Sequence, residues 1–361
     1  MTTSSSPAST DRLHSLDILR GLDMLIILGI DAMILLLASK WPDNSILQEI
    51  ARQMTHVRWE GLHLYDLVFP IFVFISGVSM SFSLAKYRTG NASASIGILH
   101  LWKRTLVLTV LGLLINGALT WDGDMRYASV LGLIGFSCAI AGTCILLSNN
   151  IKSIVTIFVS IPIFITLLQF FCGDFTPSGS VNSWIDRHCL PGHLHGEVFD
   201  PEGPLCILSA TSLCLGGWLT GTILKKNSSH PIRICLIMMS VGIILFSSAL
   251  FIGKFYPIIK SMWTGSFILA AGGIALIVLS LFHLIADIWH GSKLLFPLRI
   301  IGVNALAAYL IHNLLNIYAL NHRIFCGLAN CFVPFQSLFL IITSLLMQWL
   351  LLFFLYKRRS C

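Results

Sequence analysis

The stretch Thr55–Gly77, THVRWEGLHLYDLVFPIFVFISG, decides how this chain is read. Its first half carries His56, Arg58, Trp59, Glu60 and His63, whereas from Leu67 onward it holds no charged residue. Asp66 stands at the join. A polar cluster running straight into a long apolar segment marks the mouth of a bilayer-crossing helix.

The rest of the chain extends that pattern. Of 361 residues, 56% are hydrophobic and 11% charged, where a soluble domain carries about 25% charged residues. Mean hydropathy is +0.84. No soluble core hides so much apolar surface, and runs of about 18 or more apolar residues recur, enough to cross a hydrocarbon core of roughly 30 Å. A β-barrel is excluded because its strands would be short and alternating. The fold class is therefore all-α, a polytopic transmembrane helical bundle. We expect about ten spans, over 16–38, 63–84, 97–119, 128–148, 152–172, 204–224, 233–253, 262–286, 296–319 and 334–356. They form one transmembrane domain over 15–361 without an internal repeat, and 173–203 is the single long connection. Residues 1–14 are polar and expected to be disordered. They lack the basic region of a signal peptide, and the first apolar segment carries Asp17, Arg20, Asp23 and Asp31.

The net charge of +7 fits basic cytoplasmic loops and needs no nucleic-acid partner. Lys86, Arg88, Lys103, Arg104, Lys225, Lys226 and Lys357 to Arg359 all fall on one side of the expected spans. That side then faces the cytoplasm with both termini, which leaves His56, Arg126, the 173–203 loop and Lys260 extracytoplasmic. Of the ten cysteines, Cys138, Cys144 and Cys214 sit in spans as small apolar side chains. Cys172 with Cys189, and Cys326 with Cys331, lie in loops and are candidate disulfides if those loops face an oxidising compartment.

Ionisable groups inside a bilayer cost about 2.5–3.5 kcal/mol each on insertion scales and mark functional sites. Asp17, Arg20 and Asp23 are three apart and share a helix face. They form either a self-neutralising cluster or the wall of a polar cavity; Asp23 and Asp31 lie deeper, which favours a cavity. Asp66 follows His56 by ten residues. It is either a carboxylate favoured by a helix start or the partner of a histidine that takes a proton during catalysis. His56 is otherwise an interfacial histidine in an aromatic belt. Asn116, Asn304 and His312 also sit in or at the ends of spans, and a lone histidine such as His312 is commonly structural. The loop segment RHCLPGHLHGEVFDPEG, Arg187–Gly203, offers His188, His193, His195, Glu197 and Asp200. The spacing matches no tight zinc pattern, so no metal is assigned and a polar substrate-facing loop is expected. Asp200 and Glu202 stand at the mouth of the next span. Acidic mouths on one side suit a cationic or amino-bearing substrate.

Seven segments, SLDILRGLDM, HVRWEGLHLYDLVFPIFVFISG, WKRTLVLTVLGLLIN, WDGDMRYASVLGLIG, FDPEGPL, YPIIKSMWTGSF and GVNALAAYLIHN, together resemble the heparan-α-glucosaminide N-acetyltransferase family, in particular its short bacterial-type members. That family belongs to a wider group of transmembrane acyltransferases. The resemblance implies that His56 is the active-site residue, with Asp66 orienting it. It implies donor contacts at Arg20, Lys103, Arg104, Asn304 and His312, and acceptor contacts at Trp59, Glu60, Asp200, Glu202 and Lys260. Acetyl-CoA would be the co-substrate, entering from the cytoplasm, and an amino group of a glucosamine-type sugar or glycan the acceptor. A homodimer in a bacterial inner membrane is also implied. His56 would act as general base in a ternary complex, or would carry the acetyl group as a covalent intermediate; the first is preferred because an acyl-imidazole requires a dry site. The chain departs from the family pattern at Glu60, at Gly132 with Leu133, and at Ile259, positions that bear on donor or sugar contacts. An amino-sugar transporter and an O-acyltransferase acting on an envelope glycan are the competing readings.

Overall fold

A computed structural model of the chain describes residues 13–90, 92–119, 125–148, 150–227 and 229–359. Almost all of the expected disordered segment 1–14 lies outside these residues; His14 is described and already belongs to the first helix. Among the described residues nine helices are long and apolar enough to cross a membrane. They are α1 His14–Lys40, α3 Leu64–Ser83, α4 Ala94–Ile115, α5 Val130–Leu147, α6 Ile151–Phe171, α8 Pro204–Lys226, α9 Pro231–Ile252, α10 Gly265–Ile288 and α14 Gln336–Arg359. Shorter helices lie between them: α2 Ser45–Gln53, α7 Val181–Cys189, α11 Phe296–Val303, α12 Ala305–Leu314 and α13 Ile317–Ala329.

The expected span over 296–319 is thus not one helix. It breaks at Asn304, whose φ −111 and ψ 24 interrupt the spiral between α11 and α12. The Asn304 amide donates to the carbonyls of Ile300 (3.0 Å) and Leu352 (3.3 Å), so the break is supplied with partners in the apolar interior, as backbone at membrane depth requires.

Local chemistry sets most helix starts. Asn44, Ser129, Asn150, Ser180 and Thr264 cap α2, α5, α6, α7 and α10 through their side-chain oxygens. Pro204 and Pro231 sit in the first turns of α8 and α9, where a missing N–H costs nothing. Without a hydrophobic drive between helices in lipid, close packing by small residues holds the bundle. A Cβ on Gly77 of α3 would lie 2.0 Å from the Cys214 carbonyl oxygen, and one on Gly217 of α8 would lie 2.1 Å from that of Phe74. These two glycines let α3 and α8 meet backbone to backbone at the centre of the bundle.

Connections after alternate helices gather on one face. Trp59 Nε1 donates to the Phe175 carbonyl at 2.7 Å, Gly61 N to the Ile258 carbonyl at 2.9 Å, and Lys40 Nζ to the Pro334 carbonyl at 2.6 Å. The other connections meet at the opposite face, where Arg88 donates to the Ser148 carbonyl at 3.3 Å and His14 N to Asp287 Oδ1 at 2.8 Å. Cys172, Cys189, Cys326 and Cys331 are all free thiols, so neither candidate disulfide is formed.

Candidate active site

Asp66 is the centre of the site. It sits in the single 3-10 turn Leu64–Leu67 that opens α3, and it is 1% exposed. Its Oδ2 accepts the backbone N–H groups of His63 (3.1 Å) and Val57 (3.3 Å). Its Oδ1 lies 2.7 Å from His56 Nδ1 and 3.4 Å from Lys260 Nζ. The loop ahead of α3 is therefore folded around one buried carboxylate, with His56 hung from it.

This geometry decides the tautomer. If Nδ1 carried no proton, its lone pair would face a carboxylate oxygen at 2.7 Å. The shorter contact pairs Nδ1–H with Asp66, and Lys260 Nζ, 3.0 Å from the same nitrogen, then turns its protons to Asp66 Oδ1, which leaves Nε2 as the unengaged nitrogen. Nε2 has no hydrogen-bond partner among the described residues, and the His56 side chain is 54% exposed. His63 in the same loop is built the other way. Its Nδ1–H donates to the Thr55 carbonyl at 2.8 Å, and its Nε2 accepts from Arg52 at 3.0 Å. Both of its nitrogens are engaged, so of the two histidines only His56 keeps a ring nitrogen open.

Lys260 arrives from far along the chain. An isolated antiparallel bridge pairs Glu60 with Ile259, which carries Lys260 Nζ to 3.0 Å from His56 Nδ1. Glu60 and Ile259 thus lie directly opposite each other. Burial holds the Lys260 ammonium below its ordinary pKa, while Asp66 and Glu202 pull it back up. The turn after it ends at Trp263, whose φ of 48° is left-handed; such a non-glycine residue costs of order 1–3 kcal/mol and persists only when its surroundings over-determine it. Its ring is clamped edge-on by Phe69 (5.7 Å) and Phe267 (5.6 Å). The carbonyl of Met262 accepts from Gln169 (3.0 Å) and Asn182 (3.1 Å), and the Tyr256 hydroxyl donates to Gln169 Oε1. Sequence reasoning missed Gln169, Asn182 and Tyr256. Gln169 carried a signal, as the one amide in a helix whose other polar residues past Lys152 are serines and threonines; Asn182 and Tyr256 carried none.

Beside this group stands a second one. Arg126 grips Asp200 with both arms, Nε to Oδ2 at 2.8 Å and Nη2 to Oδ1 at 2.6 Å, and also contacts Glu202. Asp200 is fully buried and accepts the N–H groups of His195 (3.1 Å) and Glu202 (3.0 Å). Burial opposes the charge on Asp200, but Arg126 prevails and holds its carboxyl below the usual range. Burial wins at Glu202, pushing it up to about 7 against Arg126. Asp186, which accepts from Asp200 N at 3.0 Å, is likewise pushed up to about 7 by burial. The two groups are neighbours: Glu202 acts electrostatically on Lys260, and His195 feels Arg126, Asp200, His56 and Lys260.

The structure thus brings His56, Asp66 and Lys260 into one cluster with Arg126, Asp200 and Glu202 beside it. Trp59 anchors the loop through Phe175 and an edge contact of 4.9 Å to Phe199, and Glu60 is exposed at the rim. Asp200 was expected to meet substrate but is closed off under Arg126. Arg20, on α1, is held by Asp17 at 3.6 Å and by the Ser79 hydroxyl. Arg104 and Lys103 are exposed on α4. Asn304 is buried, with its amide engaged at the helix break. His312 is exposed and lines a cavity with Asp31 and Tyr65. Among the described residues no group of three or more His, Cys, Asp or Glu side chains is placed to hold a metal ion.

No family model matches the chain. Two curated proteins do: the heparan-alpha-glucosaminide N-acetyltransferases of Mus musculus and Homo sapiens, each 24% identical over 330 residues, covering 73% of this chain and 49% of the relative. The chain spans about half the length of the curated relatives it matches. It is an all-helical chain with nine apolar helices of membrane-crossing length among the described residues, and it is distantly related to the heparan-alpha-glucosaminide N-acetyltransferases.

Proposed function

We propose that this protein is an integral membrane acetyltransferase that moves acetyl from acetyl-CoA to an amino group of a glucosamine-type acceptor. The observation that carries the reading is the pairing of an exposed His56 with a buried Asp66, which leaves Nε2 as the sole basic edge of the ring. General base catalysis needs that arrangement.

In this reading the neutral amine nitrogen attacks the thioester carbon and gives its proton to His56 Nε2. The C–S bond breaks, and the proton passes on to the departing thiolate, so the products are the N-acetyl amine and the CoA thiol. Asp66 holds Nδ1–H through the step and stabilises the imidazolium that forms. Lys260 Nζ, 3.4 Å from the same Oδ1 that His56 engages, holds that carboxylate charged and in place. The Arg126, Asp200 and Glu202 group holds the exit of the 173–203 loop against the site, with Trp59 and exposed Glu60 at the rim to meet the acceptor. Arg20, Lys103 and Arg104 supply positive charge for the donor's phosphates, with Asn304 on the same route; His312, expected there too, lines the cavity beside Asp31 and Tyr65 instead.

The distant relationship to membrane acetyltransferases supports donor and acceptor class. The excess of basic residues on the face opposite His56 supports donor entry from the cytoplasm and acceptor entry from outside. A homodimer in a bacterial plasma membrane belongs to the same reading. The test is acetyl transfer from labelled acetyl-CoA to glucosamine by purified protein. His56→Ala should lose transfer and keep CoA binding; retained transfer refutes the assignment. Stoichiometric labelling of the enzyme without acceptor would replace the general base by an acetyl-histidine.

A further inference from the structure

A cavity of about 620 Å³ lies between α1, the start of α3, the α12–α13 junction and α14. It is lined by Gly29, Asp31, Tyr65, His312, Ser344 and Gln348 among apolar neighbours. One aromatic ring separates it from the candidate base: Tyr65 lies 4.7 Å from the His56 ring and donates its hydroxyl to Asp31 Oδ2 at 3.0 Å.

Two of its polar side chains come from α14. Gln348 is 4% exposed, and its Nε2 donates to the Leu28 (3.3 Å) and Ser344 (3.4 Å) carbonyls. That fixes the amide so that Oε1 is left over, buried and without a partner. The hydroxyl of Ser344, 5% exposed, is likewise unpartnered. A buried acceptor left unmade costs about 1–3 kcal/mol; the Gln348 oxygen can only accept, the Ser344 hydroxyl can donate or accept, and both lie just behind the cavity wall. Asp31 adds a carboxylate to the same wall, which calls for positive charge. The volume lies within the range of roughly 300–1,000 Å³ typical of small-molecule sites.

The rest of the wall is apolar. Ile27, Leu28, Ile317 and Ile341 line it, and Leu315 and Tyr318 at its rim are 51% and 49% exposed. The wall owes its opening to a break in α1: residues Ile26–Ile30 form a π-turn with Gly29 at φ 145°, a backbone that side chains rarely adopt. Such bulges are frequent at functional sites. A soluble sugar has no use for this apolar side, whereas an amine-bearing head on an alkyl chain uses both.

We propose that this cavity receives the acceptor from the plane of the membrane, as an amphiphile whose hydroxylated amine head meets Asp31, with Ser344 and Gln348 behind it, while its chain lies across the apolar rim. Its role as an acceptor site rests on the acetyltransferase reading; its binding of amphiphilic amines does not. From this cavity an amine needs to pass only Tyr65 to reach His56.

The full-length protein in nanodiscs is tested with an alkyl glucosaminide carrying a diazirine on its chain. The expected result is saturable photolabelling of residues from α1, α12 and α14, competed by unlabelled octyl glucosaminide. Ala32→Trp, at the exposed cavity rim, should weaken that labelling by about tenfold or more without disturbing the packed core. Gln348→Leu should weaken it too. Octyl glucosaminide should be acetylated with a kcat/KM at least about tenfold above that of free glucosamine. Labelling that is unsaturable, spread over the lipid face or indifferent to Ala32→Trp overturns the site. Equal kcat/KM for the two acceptors overturns it while leaving the transferase reading in place. Saturable cavity labelling without transfer to any amine keeps the site and removes the transferase reading instead.

Discussion

Two charge clusters share one face of the bundle and are built to opposite ends. Around Arg126 each charge answers another: Asp200 is gripped by both arms of the guanidinium, and Glu202 closes the group. Around Asp66 the carboxylate is just as buried, but the histidine it holds is half in the open with one nitrogen unengaged. A closed network fixes structure, since removing one member strands the others without water. An open one keeps a reactive edge pointing at whatever arrives. The difference teaches that burial alone does not mark a catalytic charge; what marks it is the group left incomplete.

Substitutions should separate the two clusters by what they damage. The largest effect is expected at the open one. His56→Ala and Asp66→Asn should each lower acetyl transfer by roughly 10²–10⁴-fold, the contribution of a positioned general base, while His56→Ala leaves the thermal midpoint in detergent nearly unchanged. A loss of folding in His56→Ala would erase the contrast. Lys260→Met should come next, at about 10²-fold in kcat/KM, because it loosens the carboxylate that orients the ring; measured initial rates decide this. Arg126→Met should act through stability instead, by about 3–5 kcal/mol, since it leaves Asp200 buried and unpaired; thermal unfolding reads it. Unchanged stability there would mean that the second cluster is not structural.

The smallest effect sharpens the comparison through pH. Glu202 and Asp186 are both held at about 7 by burial, above the ordinary carboxylate range near 4. Between these values the unfolded chain loses the protons that the folded protein keeps. Their contribution to stability is therefore greatest at low pH, falls as pH rises toward 7 and stays flat above it. Glu202→Gln should remove part of that slope in the thermal midpoint between about pH 4.5 and 7. A wild-type midpoint that rises through this window because of these groups would contradict their assignment.

Much of this was legible in the sequence, for physical reasons. Composition alone forces helices into lipid, and the ten-residue step from His56 to Asp66 proved to be one loop folded round one carboxylate. Lys260 was also named in advance, but its contact with a residue 204 positions away depends on a single backbone bridge that no local pattern encodes. The break at Asn304 was missed because 296–319 is long enough and apolar enough on average to cross a bilayer as one helix, and one asparagine amide with two carbonyl partners decides it. Acidic residues at the mouths suggested a surface for an amine, yet Asp200 is wholly occupied by Arg126. Asp31 stands instead in a cavity that no spacing predicts, because its walls come from opposite ends of the chain.

The most direct test of the central claim uses oriented proteoliposomes with labelled acetyl-CoA on one side and glucosamine on the other. The account predicts acetylated glucosamine on the His56 face when the donor is at the opposite, basic face, and no product from His56→Ala. Product formed with equal ease when donor and acceptor share the His56 face, or sugar carried across without acetyl-CoA, would contradict it.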